Sequence, residues 1–328
     1  MLKIAIVGAG LSGLALARQL APLARVEVFE KSRGYGGRMA TRSRDGFVFD
    51  HGAQFFTART PAFVDFLQPF IDDGVVARWD ARFVELEGNR VTAQRQWGEQ
   101  PAHYVAVPGM NALGKALAAP LDVRRETRVG RLERIPVGWR LWDSAEQPLG
   151  EYDWVVLAMP AAQAIALLPD DFPARDSIVA TPMLACYSLM LGFDQPLALP
   201  WDAALVTRAD ISWVSVNSSK PGRRGGYALL VHSTNRWAEQ NLELERALAL
   251  QHLMEQTSAV LETDLGGAVH VDLHRWLYAN VARQTGSKCH LDPALNLALV
   301  GDWCIHGRIE AAYLSAREAA TQLQPILT

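Results

Sequence analysis

The chain has 328 residues, 49% of them hydrophobic and 20% charged, which is enough to bury a large core and to form two domains or one large α/β domain. Its formal net charge of -3 provides no field that would draw nucleic acid or an anionic membrane surface. Cys186, Cys289 and Cys304 are widely separated and form no CxxC pair, so neither a disulfide framework nor a zinc site is expected, and a reducing cytoplasm suits them.

The most apolar stretch, residues 4–24, carries three glycines and Arg18 and runs straight into a strand, so it reads as core rather than as a signal peptide. No window offers the roughly 18 uncharged apolar residues that a membrane span requires. A soluble cytoplasmic protein without metal, nucleic-acid or membrane partners is the expectation. Its basic residues are mostly arginine, with only Lys3, Lys31, Lys115, Lys220 and Lys288 as lysines.

In chain order, Lys3-Ile4-Ala5-Ile6-Val7 is a nearly all-apolar run ending in glycine, the pattern of a strand buried on both faces. Residues 12–21 carry apolar side chains at helical spacing up to Pro22, and Val26-Glu27-Val28-Phe29-Glu30 is a second strand. Strand, turn, helix, strand makes one βαβ unit with parallel strands. Residues 31–44 form a glycine- and arginine-rich loop, 47–50 a strand, and 61–70 a helix. Short antiparallel strands are expected over 75–107, a helix opening at Pro108 and reaching Leu117, and a strand over 122–129. A hairpin is read from 138–142 and 152–158 around a polar turn. Strands dominate 161–271, interrupted by one long helix over 235–261. Leu297-Ala298-Leu299-Val300 is again a buried strand, and 309–323 is the final helix. There is no internal repeat and no low-complexity segment.

Gly8-Ala9-Gly10-Leu11-Ser12-Gly13 follows a strand and opens a helix, the context in which this spacing binds a dinucleotide. Gly8 serves the tight turn, Gly10 the close approach of the pyrophosphate, and Gly13 the packing of helix on strand. The phosphates then meet the free N–H groups and positive dipole end of the helix. Glu30 lies 20 residues beyond Gly10, where a carboxylate can accept from ribose hydroxyls. Two further segments favour FAD over NAD. Arg38, in Gly34-Tyr35-Gly36-Gly37-Arg38, can reach the same pyrophosphate. Val300-Gly301-Asp302 followed by Gly307-Arg308-Ile309 can aim a second helix N-terminus at a flavin, with Asp302 on the ribityl chain.

The segments 7–14, 28–38 and 299–303 resemble the flavin amine oxidase superfamily. Asp50-His51-Gly52-Ala53-Gln54-Phe55-Phe56-Thr57 and His274-Arg275-Trp276-Leu277-Tyr278-Ala279 resemble, more narrowly, the renalase family in its bacterial form. The likeness runs from the first residues to the last helix. It implies an α/β Rossmann-like FAD-binding domain (1–60, 100–160 and 272–328) and an α+β, mixed-sheet substrate domain (61–99 and 161–271). It implies an oxidase acting on isomeric dihydronicotinamide dinucleotides reduced at the 2 or 6 ring position, with O2 as electron acceptor. It would place Ser12, Glu30, Lys31, Ser32, Arg38, Met39, Gln54, Phe55, Val129, Asp302 and Ile309 around FAD, with Gly8, Gly10 and Gly13 in the phosphate turn. The substrate would meet Phe56, Thr57, Ala58, Arg59, Pro61, Trp97, Tyr187, His232, Trp276 and Trp303.

A hydride leaving a dihydropyridine needs no base, because aromatisation of the ring drives the step. Consistent with that demand, no Ser/His/Asp, Cys/His or metal-ligand grouping has usable spacing. His51, His232, His270, His274, His290 and His306 are scattered and read mainly as structural, with His232 and His274 the better placed. Most of the ten tryptophans read as packing, with Trp97 and Trp303 set apart as candidate cavity walls. Asn217-Ser218-Ser219-Lys220-Pro221-Gly222 has turn composition and is assigned no function. Three other readings compete. An amine oxidase commonly pairs an aromatic cage with a lysine-held water, which the scarcity of lysine in the second half disfavours. A non-catalytic NAD-sensing protein would carry no flavin, and a carotenoid-type desaturase would need an apolar membrane-contact surface.

Overall fold

The computed structural model describes residues 1–98, 100–282 and 286–327. The chain forms two compact units, Met1–Met39 with Leu113–Met183 and Asn280–Thr328, and Ala40–Ala112 with Leu184–Ala279.

In the first unit six strands lie in the order Asp122–Arg124, Arg25–Phe29, Lys3–Val7, Trp154–Leu157, Leu297–Leu299, His290–Asp292. All pairs are parallel except the last. The three central strands read as unbroken apolar runs because both of their faces are covered: Ile4, Ile6, Val155, Val156, Leu297 and Leu299 are all fully buried. Helices Leu11–Leu20 and Ile309–Leu327 pack on each other, and both bury small residues, among them Ala15, Ala311, Ala316 and Ala319. Such side chains let helix backbones approach closely.

Two sequence expectations change here. The strand expected over 122–129 stops at Arg124, because the chain turns at Glu126 (φ 54°), and a new strand runs Val129–Arg134. The strand read over 152–158 is Trp154–Leu157 and is not the hairpin partner, which lies earlier, in the expected turn. Pro148–Tyr152 pairs antiparallel with Trp139–Asp143, whereas Trp154–Leu157 joins the parallel sheet. Asp153 marks the change, its backbone N–H donating to Lys3 O.

In the second unit seven strands lie in the order His270–Val281, Met183–Phe193, Tyr227–Ser233, Ile211–Val216, Ala203–Thr207, Arg82–Glu87, Arg90–Gln96. Side chains alternate between the faces. One face carries Ala185, Tyr187, Leu189, Leu191, Val214, Leu229 and Val231, and packs under Ala249, Leu253 and Val260 of helix Arg246–Leu261. The other carries Met190, Ala228 and Leu230, covered by Phe47 and Phe49 of a hairpin made by Arg42–Arg44 and Phe47–Phe49. The long helix expected over 235–261 is broken into Asn235–Gln240 and Arg246–Leu261. Asn241 ends the first piece: its side-chain amide donates to Trp237 O at 2.8 Å, and its own carbonyl accepts from Tyr187 Oη at 2.9 Å. An Asn that binds local backbone in this way competes with helix continuation.

The units divide the chain differently from the expected domains. Residues 40–60 and 100–112 belong to the second unit, because the 42–49 hairpin packs on its sheet and His103–Ala106 pairs with Phe56–Thr57. Residues 272–279 belong there as part of the sheet's edge strand. Residues 161–183 fall in the first unit, where Ala161, Leu168, Phe172 and Ile178 pack against Val155 and Leu157.

Candidate functional site

The glycine turn of the first unit is shaped by three different demands. A Cβ on Gly8 (φ +115°) would lie 2.5 Å from Ala158 O, and one on Gly13 would lie 2.0 Å from Gly8 O. Strand and helix therefore touch at these two glycines, and any side chain would push them apart. A Cβ on Gly10 would meet nothing within 4 Å. The protein itself makes no use of the missing side chain there, so the open space is a cradle for something that approaches the backbone closely. Helix Leu11–Leu20 begins at Gly10 without a side-chain cap, leaving its first amides for an anion. The Glu30 carboxylate spans the turn, accepting from Ala9 N and Ser32 N, both at 2.8 Å. These features fit a dinucleotide.

Further cradle candidates cluster in the same unit. Arg38 grips Asp302 with two guanidinium nitrogens, one of them at 3.0 Å from Oδ2. The Asp302 carbonyl accepts from Ile305, His306 and Gly307, each at 3.0 Å, which folds the chain into the turn before helix Ile309–Leu327. Ser12 and Met39 are buried, and Lys31 and Ser32 are exposed, Lys31 donating to Gln163 at 3.1 Å. Val129 opens its strand opposite Asp143. Trp303 is fully buried, its indole N–H donating to Met159 O at 3.0 Å and its ring stacking on His290. A Cβ on Gly301 would strike that indole at 2.3 Å, so Trp303 packs as part of the turn.

The second unit assembles a different cluster on the sheet face opposite the long helix. Ser188 and His232 are register partners there, as are Trp213 and His232, and Ser215 and Leu230. Against this face lies the segment 51–55, which has no regular secondary structure and must satisfy its backbone with side chains. The His51 carbonyl accepts from Ser188 Oγ and Trp276 Nε1, both at 2.7 Å. The His51 ring stacks on Trp276 and meets His274 edge-on. Gln54 Nε2 donates to the carbonyls of Asp50 and Gly52, while its Oε1 accepts from Ser215 and Lys220. Both ends of the Gln54 amide are thus engaged within this unit.

All three imidazoles are held neutral. Burial pulls His51 down to about 3, helped by His274 and the Arg42 guanidinium. Burial also pulls His232 to about 4, with Lys220 adding to it, and His274 to about 4, with Arg42 adding to it. Arg42 is shared between Asp272 and the edge of His274.

Of the expected substrate residues, Trp97 and Trp276 join this cluster, Trp97 packing on Trp213, the register partner of His232, and Trp276 stacking on His51; Thr57 pairs with His103, whereas the Phe56 ring packs on Phe63 and Tyr104. Phe55 packs on Trp97 and Trp213, and Trp97 stacks face to face on His103 at 3.8 Å. Ala58 and Arg59 continue from the short strand Phe56–Thr57, and Pro61 is the exposed first residue of helix Pro61–Asp72. Tyr187 is not brought to them: it lies on the helix side of the sheet, its hydroxyl donating to Asn241 O. His51, Ser188, Trp213 and His103 belong to the cluster without having been singled out from sequence. Ser188 and His232 interrupt otherwise apolar strands, and that interruption was the available signal.

Residues 80–324 match the flavin containing amine oxidoreductase family, and residues 6–70 match an NAD(P)-binding Rossmann-like domain. The chain belongs to the flavin containing amine oxidoreductase family, and its cofactor is FAD. A coproporphyrinogen III oxidase of Propionibacterium freudenreichii subsp. freudenreichii is 38% identical over 85 residues, covering 25% of this chain and 16% of the relative. A 4,4'-diapophytoene desaturase of Staphylococcus aureus (strain Newman) is 48% identical over 52 residues, covering 16% of this chain and 10% of the relative. These curated relatives are therefore matched over only a small part of their length.

Among solved structures, a putative protoporphyrinogen oxidase from Exiguobacterium sp. 255-15 superposes with a TM-score of 0.80 at 14% identity, covering 99% of both chains. A redesigned putrescine oxidase superposes with a TM-score of 0.74 at 13% identity, again covering 99% of both chains. An oxidoreductase from Methanosarcina mazei gives 0.74 at 14%, covering 98% of this chain and all of that one. At these identities the likeness is one of fold. No helix among the described residues is long and apolar enough to cross a membrane.

Proposed function

We propose that the protein is a renalase-like oxidase that converts 2- or 6-dihydroNAD(P) to NAD(P)+. The observation that carries this reading is the meeting of the two segments that resemble the renalases. Residues 50–57 and 274–279 are far apart in the chain, yet Trp276 donates to the His51 carbonyl and their rings stack. FAD, when bound, would supply the hydride acceptor, its two electrons passing on to O2, which with the transferred hydrogen and one proton from solvent gives H2O2.

The chain's own task is to bind FAD through Gly8 to Gly13, Glu30, Arg38 and Asp302, and to hold the dihydronicotinamide with residues of the second unit. We assign the ring to His232, Trp276 and Phe56, with Thr57, Ala58 and Arg59 toward the rest of the substrate. Neutral imidazoles suit this chemistry, because the departing hydride leaves an aromatic cation and no proton has to be removed from the reacting carbon. The matching test is product analysis. Aerobic enzyme given a 2- or 6-dihydro isomer is expected to yield NAD(P)+ and H2O2 in equal amounts, and release of ammonia from an amine in its place would reject the reading.

The second reading is an amine oxidase, favoured by the family match. Against it stands Lys220, the lysine nearest the histidine cluster: it is fully buried, and three side-chain oxygens take its three N–H donors.

A further inference from the structure

Asp50, Lys220 and Arg223 form a buried ionic cluster in the second unit, with side-chain exposures of 0%, 0% and 1%. Asp50 is bound on every side. Its Oδ1 accepts from Thr41 Oγ1 at 2.8 Å and Met110 N at 2.9 Å, and its Oδ2 from Arg223 Nε and Nη2 at 3.0 and 2.6 Å and from Lys220 at 3.3 Å. Arg223 alone already neutralises the carboxylate in a two-pronged contact. Lys220 is then a surplus buried cation, so the cluster is one positive charge in excess when all three groups are ionised.

A surplus buried charge is not explained by stability. Burial makes the ammonium unfavourable enough to bring Lys220 down to about 8, Arg223 opposing its charge and Asp50 supporting it, and because Arg223 stays paired with Asp50, removing the lysine strands no buried charge. What Lys220 does that Arg223 does not is reach the irregular segment. Its ammonium donates to Gln54 Oε1 at 3.1 Å and Asn217 Oδ1 at 2.9 Å, and it lies 5.3 Å from the centre of the Trp79 ring. Gln54 in turn ties down the carbonyls of Asp50 and Gly52, and Asn217 Oδ1 receives Asp50 N. Removing the ammonium leaves no orphaned acceptor, because Gln54 Oε1 keeps Ser215 and Asn217 Oδ1 keeps Asp50 N. The loss would be one of position.

We propose that Lys220 is a positioning residue which, acting through Gln54, fixes residues 51–57 and with them His51, Phe55 and Phe56 in the geometry that flavin reduction requires. The inference rests on the reading that this segment meets the substrate.

The test uses FAD-loaded enzyme and its Lys220→Met and Gln54→Ala variants, with three readouts. Hydrogen exchange of residues 50–57 reports position. The rate constant for anaerobic flavin reduction at saturating dihydronicotinamide reports function. The melting temperature reports structure. Expected are faster exchange confined to 50–57, a rate constant lowered by roughly 10- to 100-fold because sub-ångström misplacement is costly, and little change in melting temperature. Each single variant should lose as much as the double variant, since both break one linkage. If Lys220→Met does not fold, Lys220→Gln decides, because it removes the ammonium, keeps a polar side chain at the position and leaves the Gln54 contacts to Asp50, Gly52 and Ser215 in place. Unchanged exchange and reduction rate in a folded variant would overturn the proposal, as would a rate loss that merely follows FAD loss. If no dihydronicotinamide isomer reduces the unaltered enzyme, the functional reading fails, while exchange at 50–57 still tests whether Lys220 positions the segment.

Discussion

Arg38 and Asp302 clasp each other across 264 residues of sequence, joining the loop after the second strand to the turn before the last helix. Two distant stretches of the chain are thereby tied together within the first unit. The contact is charge-assisted and two-pronged, the geometry that an arginine forms best with a carboxylate.

Breaking it should loosen FAD more than the fold. Arg38→Met or Asp302→Asn is expected to weaken FAD binding by about 10- to 100-fold, the worth of a charge-assisted hydrogen bond of roughly 1.5 to 3 kcal/mol. Fluorescence titration of FAD into stripped protein measures this. Unaltered affinity in both variants would remove the pair from the cofactor site.

The glycine turn offers a sharper separation. Gly10 has an extended backbone (φ -73°) with open space where a Cβ would stand, so Gly10→Ala should fold and melt like the flavin-stripped parent yet purify with little flavin. Gly13→Ala puts a methyl group 2.0 Å from a backbone oxygen and should lose stability as well as flavin. Visible absorbance and melting temperature distinguish the two, and equal behaviour of the two variants would refute the assignment of roles.

The histidine cluster predicts an acid-sensitive fold. His51, His232 and His274 sit at about 3, 4 and 4 in the folded chain, against 6.5 ordinarily. The folded state therefore holds fewer protons than the unfolded state across that window, and unfolding free energy rises with pH there. The stability these residues allow is complete above about pH 6.5 and is lost as the pH falls toward 4. Urea midpoints of FAD-loaded enzyme measured between about pH 7 and pH 5 should fall, and fall less in His232→Gln. The same slope in both proteins would show that His232 titrates normally.

Much of the first unit was legible in the sequence because its strands are covered on both faces and end in glycine, so composition alone marks Lys3–Val7 and Leu297–Leu299. The break at Asn241 was not, since apolar periodicity continues across it and only the Tyr187 and Trp237 contacts reveal the turn. Nor was the extra strand at Pro148–Tyr152, which precedes Trp154–Leu157 with a single residue between and lies where a polar turn was expected. Candidate residues on motifs, such as Glu30 and Asp302, could be named from spacing. Lys220 could not, because its turn-like neighbours describe only local chain direction, and its partners Asp50 and Gln54 lie 170 and 166 residues away. Tyr187 and His232 illustrate the same limit on a sheet: both stand on central strands, but strand parity sends them to opposite faces.

The most direct measurement of the central claim is anaerobic stopped-flow absorbance of the FAD-loaded enzyme mixed separately with 2-dihydroNAD(P), 6-dihydroNAD(P), ordinary NAD(P)H and putrescine. The account predicts rapid bleaching of the flavin band by at least one of the first two and none by the others on that timescale. Bleaching by putrescine, with both dihydro isomers inert, would contradict it.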